Sequence, residues 1–166
     1  MAFPNNNYPR SNGGPRGDRP PQEPAKPVFD VSTLSQTNYV QLAESVILAH
    51  KKLAESAVLA HKNSNDRVLI STTQLRGLFA LLTEVREILR VRQTDALDET
   101  LQSRVQYIKM RFVYAAGRGE KGVPEFMTQS SLIGCLDAVK DSAKQFELVC
   151  KYMEALVAYH KFYINK

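Results

Sequence analysis

Five residues between positions 104 and 118 alternate cationic and aromatic side chains at a spacing that suits binding to an anionic polymer. They recur at steps of three and four, which places them on one face of an α-helix: Arg104, Tyr107, Arg111, Tyr114 and Arg118. Seven helical residues rise about 10.5 Å, so the three arginines of this Arg–Tyr face form a row roughly 20 Å long. Guanidinium groups bind phosphates, and rings between them stack on bases or on guanidinium planes. The alternative is that the tyrosines border the core and the arginines are merely solvated.

The helix that carries the Arg–Tyr face runs from about Ala96 to Gly117. A second stripe on it is apolar and predicts the side that packs on the core: Leu97, Leu101, Val105, Ile108 and Phe112. Gly117 is expected to end the helix as a left-handed cap residue. Three glycines around Arg118 and Lys121 in the following loop would allow close approach of a phosphate. A plain connection between helices is the alternative, since the loop lacks the ending of a P-loop.

The remaining elements also read as helices, because no alternating β pattern occurs. Helix one spans about residues 38–62, helix two begins at a capping box with Ser71 and ends near residue 92, helix four begins at Pro124, and helix five begins at a second capping box with Ser142. Seven of the eight prolines lie in the first 30 residues, a composition typical of disorder. The sequence therefore predicts an all-α fold: a disordered Pro/Gly-rich N-terminal tail (1–36) and a compact five-helix bundle (37–166).

Helix one contains an internal repeat of eleven residues. The repeat begins with Leu-Ala-Glu-Ser and ends with Leu-Ala-His-Lys, at positions 42–51 and again at 53–62. Eleven residues make three turns of 3.67 residues, so both copies present nearly the same face. We interpret the repeat as an in-line duplication that lengthens one helix. His50 and His61 are wrongly spaced for two metal ligands on one face, and the sequence predicts neither a metal nor another cofactor.

Length, charge and cysteine usage limit the class of protein. One domain is the default for 166 residues, and a net charge of +5 with a pI near 9.2 is compatible with an anionic partner. No apolar run approaches the roughly 20 residues of a membrane span, and the N-terminus has no signal-peptide core. Cys135 and Cys150 lie in apolar helical runs, which indicates buried thiols in a reducing cytoplasm. No nucleophile elbow or converging set of titratable groups is visible, so we expect no enzyme.

Three sequence blocks stand out along the chain: Ile70-Ser-Thr-Thr-Gln-Leu-Arg-Gly-Leu-Phe, Tyr107-Ile-Lys-Met-Arg-Phe-Val-Tyr-Ala-Ala-Gly-Arg, and Cys150-Lys-Tyr-Met-Glu-Ala-Leu-Val-Ala-Tyr-His-Lys-Phe-Tyr. Together they resemble one family, the small α-helical subunit of the type III-A CRISPR interference complex (the Csm complex). The resemblance implies several copies stacked along a guide RNA–target RNA filament, beside the backbone and large subunits. It also implies that the small subunit binds RNA, while the backbone subunit cleaves the target and the large subunit acts on DNA.

Seven basic residues are candidates for contact with RNA. The resemblance carries that role onto Arg76 in the first block, onto Lys109 and Arg118 in the second, and onto Lys161 in the third. The residue pattern alone adds Arg104, Arg111 and Lys121. Because the guide specifies sequence by pairing, we expect the protein to hold phosphates rather than to read bases. Two alternatives stay open: a helical adaptor that contacts only protein, and a small ribonuclease or other hydrolase.

Overall fold

Helices alone form the fold in the part of the chain that the structure describes. The computed structural model covers residues 25–60, 69–120 and 122–164, with the backbone alone for residues 58–60. In these ranges a 3-10 turn (Val31–Thr33) precedes six α-helices: α1 (Tyr39–Ala60), α2 (Thr72–Arg92), α3 (Glu99–Gly117), α4 (Val123–Ser130), α5 (Leu132–Asp137) and α6 (Ala143–Tyr163). The predicted all-α class is confirmed. Residues 1–24 of the predicted tail lie outside the described residues.

The helix count differs from the five predicted, because the expected fourth helix is divided at Ser131. This residue has φ 52° and ψ 21°, a left-handed conformation that costs an L-residue about 1–2 kcal/mol. Tertiary hydrogen bonds offset that cost at the break. The Ser131 hydroxyl donates to the Phe29 carbonyl at 3.2 Å, and the buried Tyr152 hydroxyl donates to the Ser130 carbonyl at 3.0 Å. No glycine or proline marks the position in the sequence, so the division depends on these distant partners.

Helix α6 forms the centre of the core. Its buried residues occur on most sides of the helix, with Phe146, Tyr152 and Met153 fully enclosed. A helix that is apolar nearly all round must be covered by neighbours, and α6 packs against α1 and α2. Helix α3 packs on α4 and α5. The predicted core stripe is buried, since all five members are at most 3% exposed: Leu97, Leu101, Val105, Ile108 and Phe112. The helix begins at Glu99 and not near Ala96, because Asp98 caps it, so Leu97 packs on the core from the segment before α3.

Residues 25–36, the last part of the predicted tail, lie against the helices. The Val28 amide donates to the Gln129 carbonyl at 3.1 Å, and the Phe29 ring meets the Tyr152 ring edge-on with centroids 5.6 Å apart. Leu34 is buried in the core. These contacts attach the segment to α4 and α6 ahead of the first helix.

Two buried histidines hold Ile70, the residue that leads into α2. The Ile70 amide donates to His50 Nε2 at 3.1 Å, and the Ile70 carbonyl lies 2.8 Å from His160 Nε2. We call this arrangement the histidine clamp. Because an amide can only donate, His50 Nε2 must be the acceptor, and His50 Nδ1 therefore donates to Gln129 Oε1 at 2.8 Å. The clamp joins α1 and α6 to the start of α2.

The neutral form of His50 is required by this geometry. Burial lowers its pKa to about 4, although the hydrogen bond to Gln129 opposes the shift. Burial also lowers the pKa of His160, which is 1% exposed, so this residue is the hydrogen-bonded core histidine that its place on an apolar stripe indicates. Both ring nitrogens of His50 are engaged with protein groups. His61, the other half of the disfavoured metal pair, lies outside the described residues.

The caps at the helix ends follow the sequence only in part. Ser71 and Gln74 form the predicted reciprocal capping box of α2. At α6, the Ser142 side chain accepts from the Gln145 amide, which is the first half of such a box. The predicted left-handed residue at Gly117 is wrong: Gly117 remains helical, and the left-handed conformation falls at Gly119, with φ 67°. Helix α3 thus ends two residues before its turn residue, and Arg118 continues from its last turn.

Candidate nucleic-acid interface

The Arg–Tyr face of α3 points to solvent along its whole length. Tyr107 is 51% exposed and Tyr114 is 59% exposed, so neither ring borders the core. Arg104, Arg111 and Arg118 are exposed as well. The exposed rings do not fit the interpretation in which the tyrosines border the core, because rings there would be largely covered. Nucleic-acid binding by this face stays a prediction.

Arginine and tyrosine side chains contact each other along this face. Arg111 Nη1 donates to the Tyr107 hydroxyl at 3.3 Å, and the Arg118 guanidinium carbon lies 5.9 Å from the centroid of the Tyr114 ring. Arg118 also pairs with Glu120 at 3.3 Å. Within the described ranges, Arg104 and Arg111 have no carboxylate at ion-pair distance. Their charges are therefore available to an outside anion.

Lys109 belongs to a different side of α3. Five residues separate it from Arg104, which turns it about 140° away from the Arg–Tyr face at 100° per residue. Its Nζ lies 2.5 Å from Asp137 Oδ1, so it connects α3 to the end of α5. The structure does not bring Lys109 into line with the three arginines.

Two of the other three candidates, Arg76 and Lys161, lie apart from the row. Arg76 is exposed on the second turn of α2, and it lines neither basin of the groove described next. Lys161 is exposed near the end of α6, directly after His160 of the clamp, and it does not line that groove. Lys121 lies outside the described residues.

A groove between α2 and α3 runs beside the Arg–Tyr face. Its upper basin holds about 230 Å³ and its lower basin about 390 Å³, and Leu81 lines both. The upper basin is bordered by Arg111, Tyr114 and Arg118, and the lower basin by Arg104 and Tyr107. Cations and rings thus stand along one edge of a continuous depression.

The lining residues of the upper basin that are absent from the sequence-based candidates include Gln74, Gly77 and Glu120. Gln74 Nε2 donates to Glu120 Oε2 at 2.6 Å, which ties the start of α2 to the loop after α3. Gly77 occupies a helix interior, where glycine is unfavourable, and that mismatch was the available signal for it. Nothing in the sequence pairs Gln74 with Glu120, which are 46 residues apart.

Comparison with known proteins identifies the family of this chain. A sequence model of the family described as Csm2 Type III-A matches residues 49–166. The chain belongs to this family. A relative from Streptococcus thermophilus is 32% identical over 136 residues, which cover 82% of this chain and 99% of the relative. A relative from Mycobacterium tuberculosis (strain CDC 1551 / Oshkosh) is 37% identical over 93 residues, or 56% of this chain and 74% of the relative.

Both relatives bear the name "CRISPR system Cms protein Csm2". A third with that name, from Enterococcus italicus, is 35% identical over 96 residues, which cover 57% of this chain and 68% of the relative. The family predicted from the three sequence blocks is therefore confirmed, and this Csm2-family chain is a small subunit of the type III-A Csm complex in CRISPR defence. The Arg–Tyr face and the groove lie within the matched residues.

The two cysteines of this Csm2-family chain are unreactive. Burial raises the pKa of Cys135 and of Cys150 to about 12, which keeps both thiols protonated and confirms them as buried. Across the described ranges, no group of three or more His, Cys, Asp or Glu side chains is placed to hold a metal ion. None of the helices described is long and apolar enough to span a membrane.

Proposed function

We propose that this chain is a non-catalytic, RNA-binding subunit of the type III-A complex in the cytoplasm. In this proposal several copies stack along the guide RNA–target RNA filament, next to the backbone and large subunits, and each copy holds phosphates. The observation that carries the proposal is the exposed row of Arg104, Arg111 and Arg118 with rings between them. Arginine to phosphate gives affinity without sequence readout, which suits a subunit that must accept any target.

The remaining candidates take different parts in the proposal. Arg76 on α2 and Lys161 at the end of α6 are separate candidate contacts, since neither lines the groove. Lys121 stays a candidate in the loop after α3. Lys109 is left out of the phosphate-binding set, because its ammonium group is paired with Asp137. We assign no catalytic step to the chain, since its thiols are buried and protonated.

The experiment is fluorescence anisotropy with labelled single-stranded RNA at 50 mM and 200 mM salt, concentrations over which phosphate contacts weaken measurably. Three phosphate contacts to a single strand give a slope of about −2 in log K against log salt, so wild-type affinity falls roughly 20-fold over this fourfold change. The test variant is Arg111→Glu with Arg118→Glu. The matched control is Arg90→Glu with Lys144→Glu, which changes net charge equally on exposed residues of the α2–α6 groove.

The two outcomes separate RNA binding from the adaptor function. Salt-sensitive binding that is lost in the Arg111/Arg118 variant and kept in the control supports the proposal. An equal loss of RNA affinity in both double variants would show that net charge, and not the Arg–Tyr face, accounts for the binding. The adaptor remains the second candidate because Met110 and Val113 are about half exposed on α3, an apolar surface suited to protein. Unchanged RNA affinity together with weaker complex assembly would favour it.

A further inference from the structure

The upper basin of the α2–α3 groove has the size and lining of a site for a flat polar ring. It holds about 230 Å³ and has an apolar floor that includes Leu78, Leu81 and Val123. Its outer edge is formed by Tyr114 and Arg118, and its far rim by Gln74 and Glu120. A depression with an apolar base and a few polar groups at its rim is the usual form of a small-ligand site.

Gly77 keeps this basin open. It lies inside α2, where glycine is less favourable than alanine. Nothing in the fold requires it, because a Cβ built at this position meets no atom within 4 Å and its φ is that of ordinary helix. Any larger residue would project its side chain into the space between the helices. Neither packing against the described residues nor backbone conformation calls for a glycine here, and Gly77 lies in the lining of the basin.

The edge of the basin presents two stacking surfaces. The Tyr114 ring is 59% exposed and the Arg118 guanidinium carbon lies 5.9 Å from its centroid. Aromatic rings and guanidinium planes are the surfaces on which unpaired bases stack in RNA-binding proteins. Arg111 and Arg118 stand about one helical turn to either side of Tyr114, close enough to hold the phosphates that flank a base lying against its ring.

The rim supplies both donors and acceptors without repelling RNA. Glu120 Oε2 accepts from Gln74 Nε2 at 2.6 Å, while Glu120 Oε1 lies 3.3 Å from Arg118 Nη2. The carboxylate charge is thus compensated within the site, and its remaining lone pairs and the Gln74 amide are within the basin lining. A ring that carries its own donors and acceptors can bond there in more than one orientation.

The geometry points to a single unpaired nucleobase of bound RNA as the occupant of the upper basin, stacked on Tyr114 between phosphates held by Arg111 and Arg118. This inference rests on the proposed RNA binding and adds to it: the site accommodates a base as well as a phosphate. Stacking tolerates any base, so the guide remains the source of sequence specificity. The lower basin is a poorer candidate, because Glu84 on its rim has no basic partner among the described residues to offset its charge.

The test compares two RNAs that differ only in their bases. One is a short labelled single strand, and the other has the same phosphates and sugars with abasic positions. Wild-type protein is expected to bind the first RNA about 5- to 100-fold more tightly. Gly77→Leu fills the basin without a change in charge, and it should lower affinity for the base-bearing RNA by at least about fivefold while leaving the abasic RNA unaffected.

The control variant is Ala80→Leu, which adds a bulky apolar side chain at an exposed position of α2 outside the basin lining, and it should bind both RNAs as wild type does. Tyr114→Leu gives a second test, since it removes the ring and keeps a helix-forming side chain. Salt-sensitive binding that is equal for both RNAs and unchanged by Gly77→Leu and Tyr114→Leu would overturn this inference and leave the proposed function standing. No salt-sensitive binding of either RNA by wild type would overturn both.

Discussion

Replacement of His50 by glutamine should remove a large part of the acid sensitivity of this fold. His50 is fully buried and its folded pKa is about 4, against an ordinary value of 6.5. Between these two pH values, the His50 side chain therefore binds a proton in the unfolded chain but not in the native protein. Because the folded pKa is lowered, the contribution of neutral His50 to the free energy of unfolding is complete above pH 6.5. It is lost as the pH falls towards 4.

The magnitude follows from the two pKa values. With 6.5 unfolded and about 4 folded, linkage gives a loss of about 2 kcal/mol in unfolding free energy between pH 7.5 and pH 5.0. A residue at the same position that does not titrate contributes none of this change. The glutamine side chain of the His50→Gln variant can still offer an amide oxygen to the Ile70 amide in place of Nε2, which limits the loss of stability at neutral pH to the order of 1–3 kcal/mol.

Urea unfolding followed by circular dichroism at both pH values measures the effect. The fall from pH 7.5 to pH 5.0 should be about 2 kcal/mol larger for wild type than for His50→Gln. Groups that do not interact with His50 contribute equally to both proteins and cancel in the comparison. An NMR titration of the His50 ring gives the folded pKa directly and needs no variant. Equal pH dependence in the two proteins, or a ring that titrates above pH 6, would refute the clamp as described.

Three further substitutions separate binding from stability. Arg118→Ala should lower RNA affinity while the melting temperature stays near wild type, because the side chain is 58% exposed; a large drop in melting temperature would assign Arg118 to the fold. Lys109→Ala should leave RNA affinity within about twofold, and cost no more than about 1 kcal/mol, since it removes a partly exposed ion pair with Asp137; an RNA defect as large as that of Arg118→Ala would contradict this. Ser71→Ala should cost about 1 kcal/mol in urea unfolding by removing the N-cap of α2, and an unchanged midpoint would count against the cap.

The sequence predicts best where the signal is local. Helical periodicity is enough to place Val105 and Phe112 inside, whereas it leaves the exposure of Tyr114 open. One capping box marks the start of α2 at Ser71. Prediction from sequence fails where residues that are distant in the chain determine the local conformation. The break at Ser131 depends on a hydrogen bond to Phe29, 102 residues away, and the left-handed turn at Gly119 follows a helix end that three nearby glycines leave ambiguous.

The candidate site shows the same division. Spacing alone identifies Arg104, Arg111 and Arg118 as one row, since that property is intrinsic to one helix. Spacing does not reveal that Lys109 is paired with Asp137 at the end of α5, because the two residues are 28 positions apart in the chain. Nor does it reveal the groove, which exists only when α2 lies beside α3. Tertiary contacts therefore distinguish Lys109, which joins α3 to α5, from Arg104 and Arg111, which have no carboxylate at ion-pair distance among the described residues.

The histidine clamp and the upper basin depend on the same part of the chain. Ile70 is held by His50 and His160, and Gln74 and Gly77 follow within the next two turns of α2. The position of that helix end fixes one wall of the basin, whereas α3 fixes the other. The arginines on α3 stay charged at any physiological pH, so acid acts on this site through the clamp and not through the cations. A loss of RNA binding under acid would accordingly report displacement of α2 rather than neutralisation of the Arg–Tyr face.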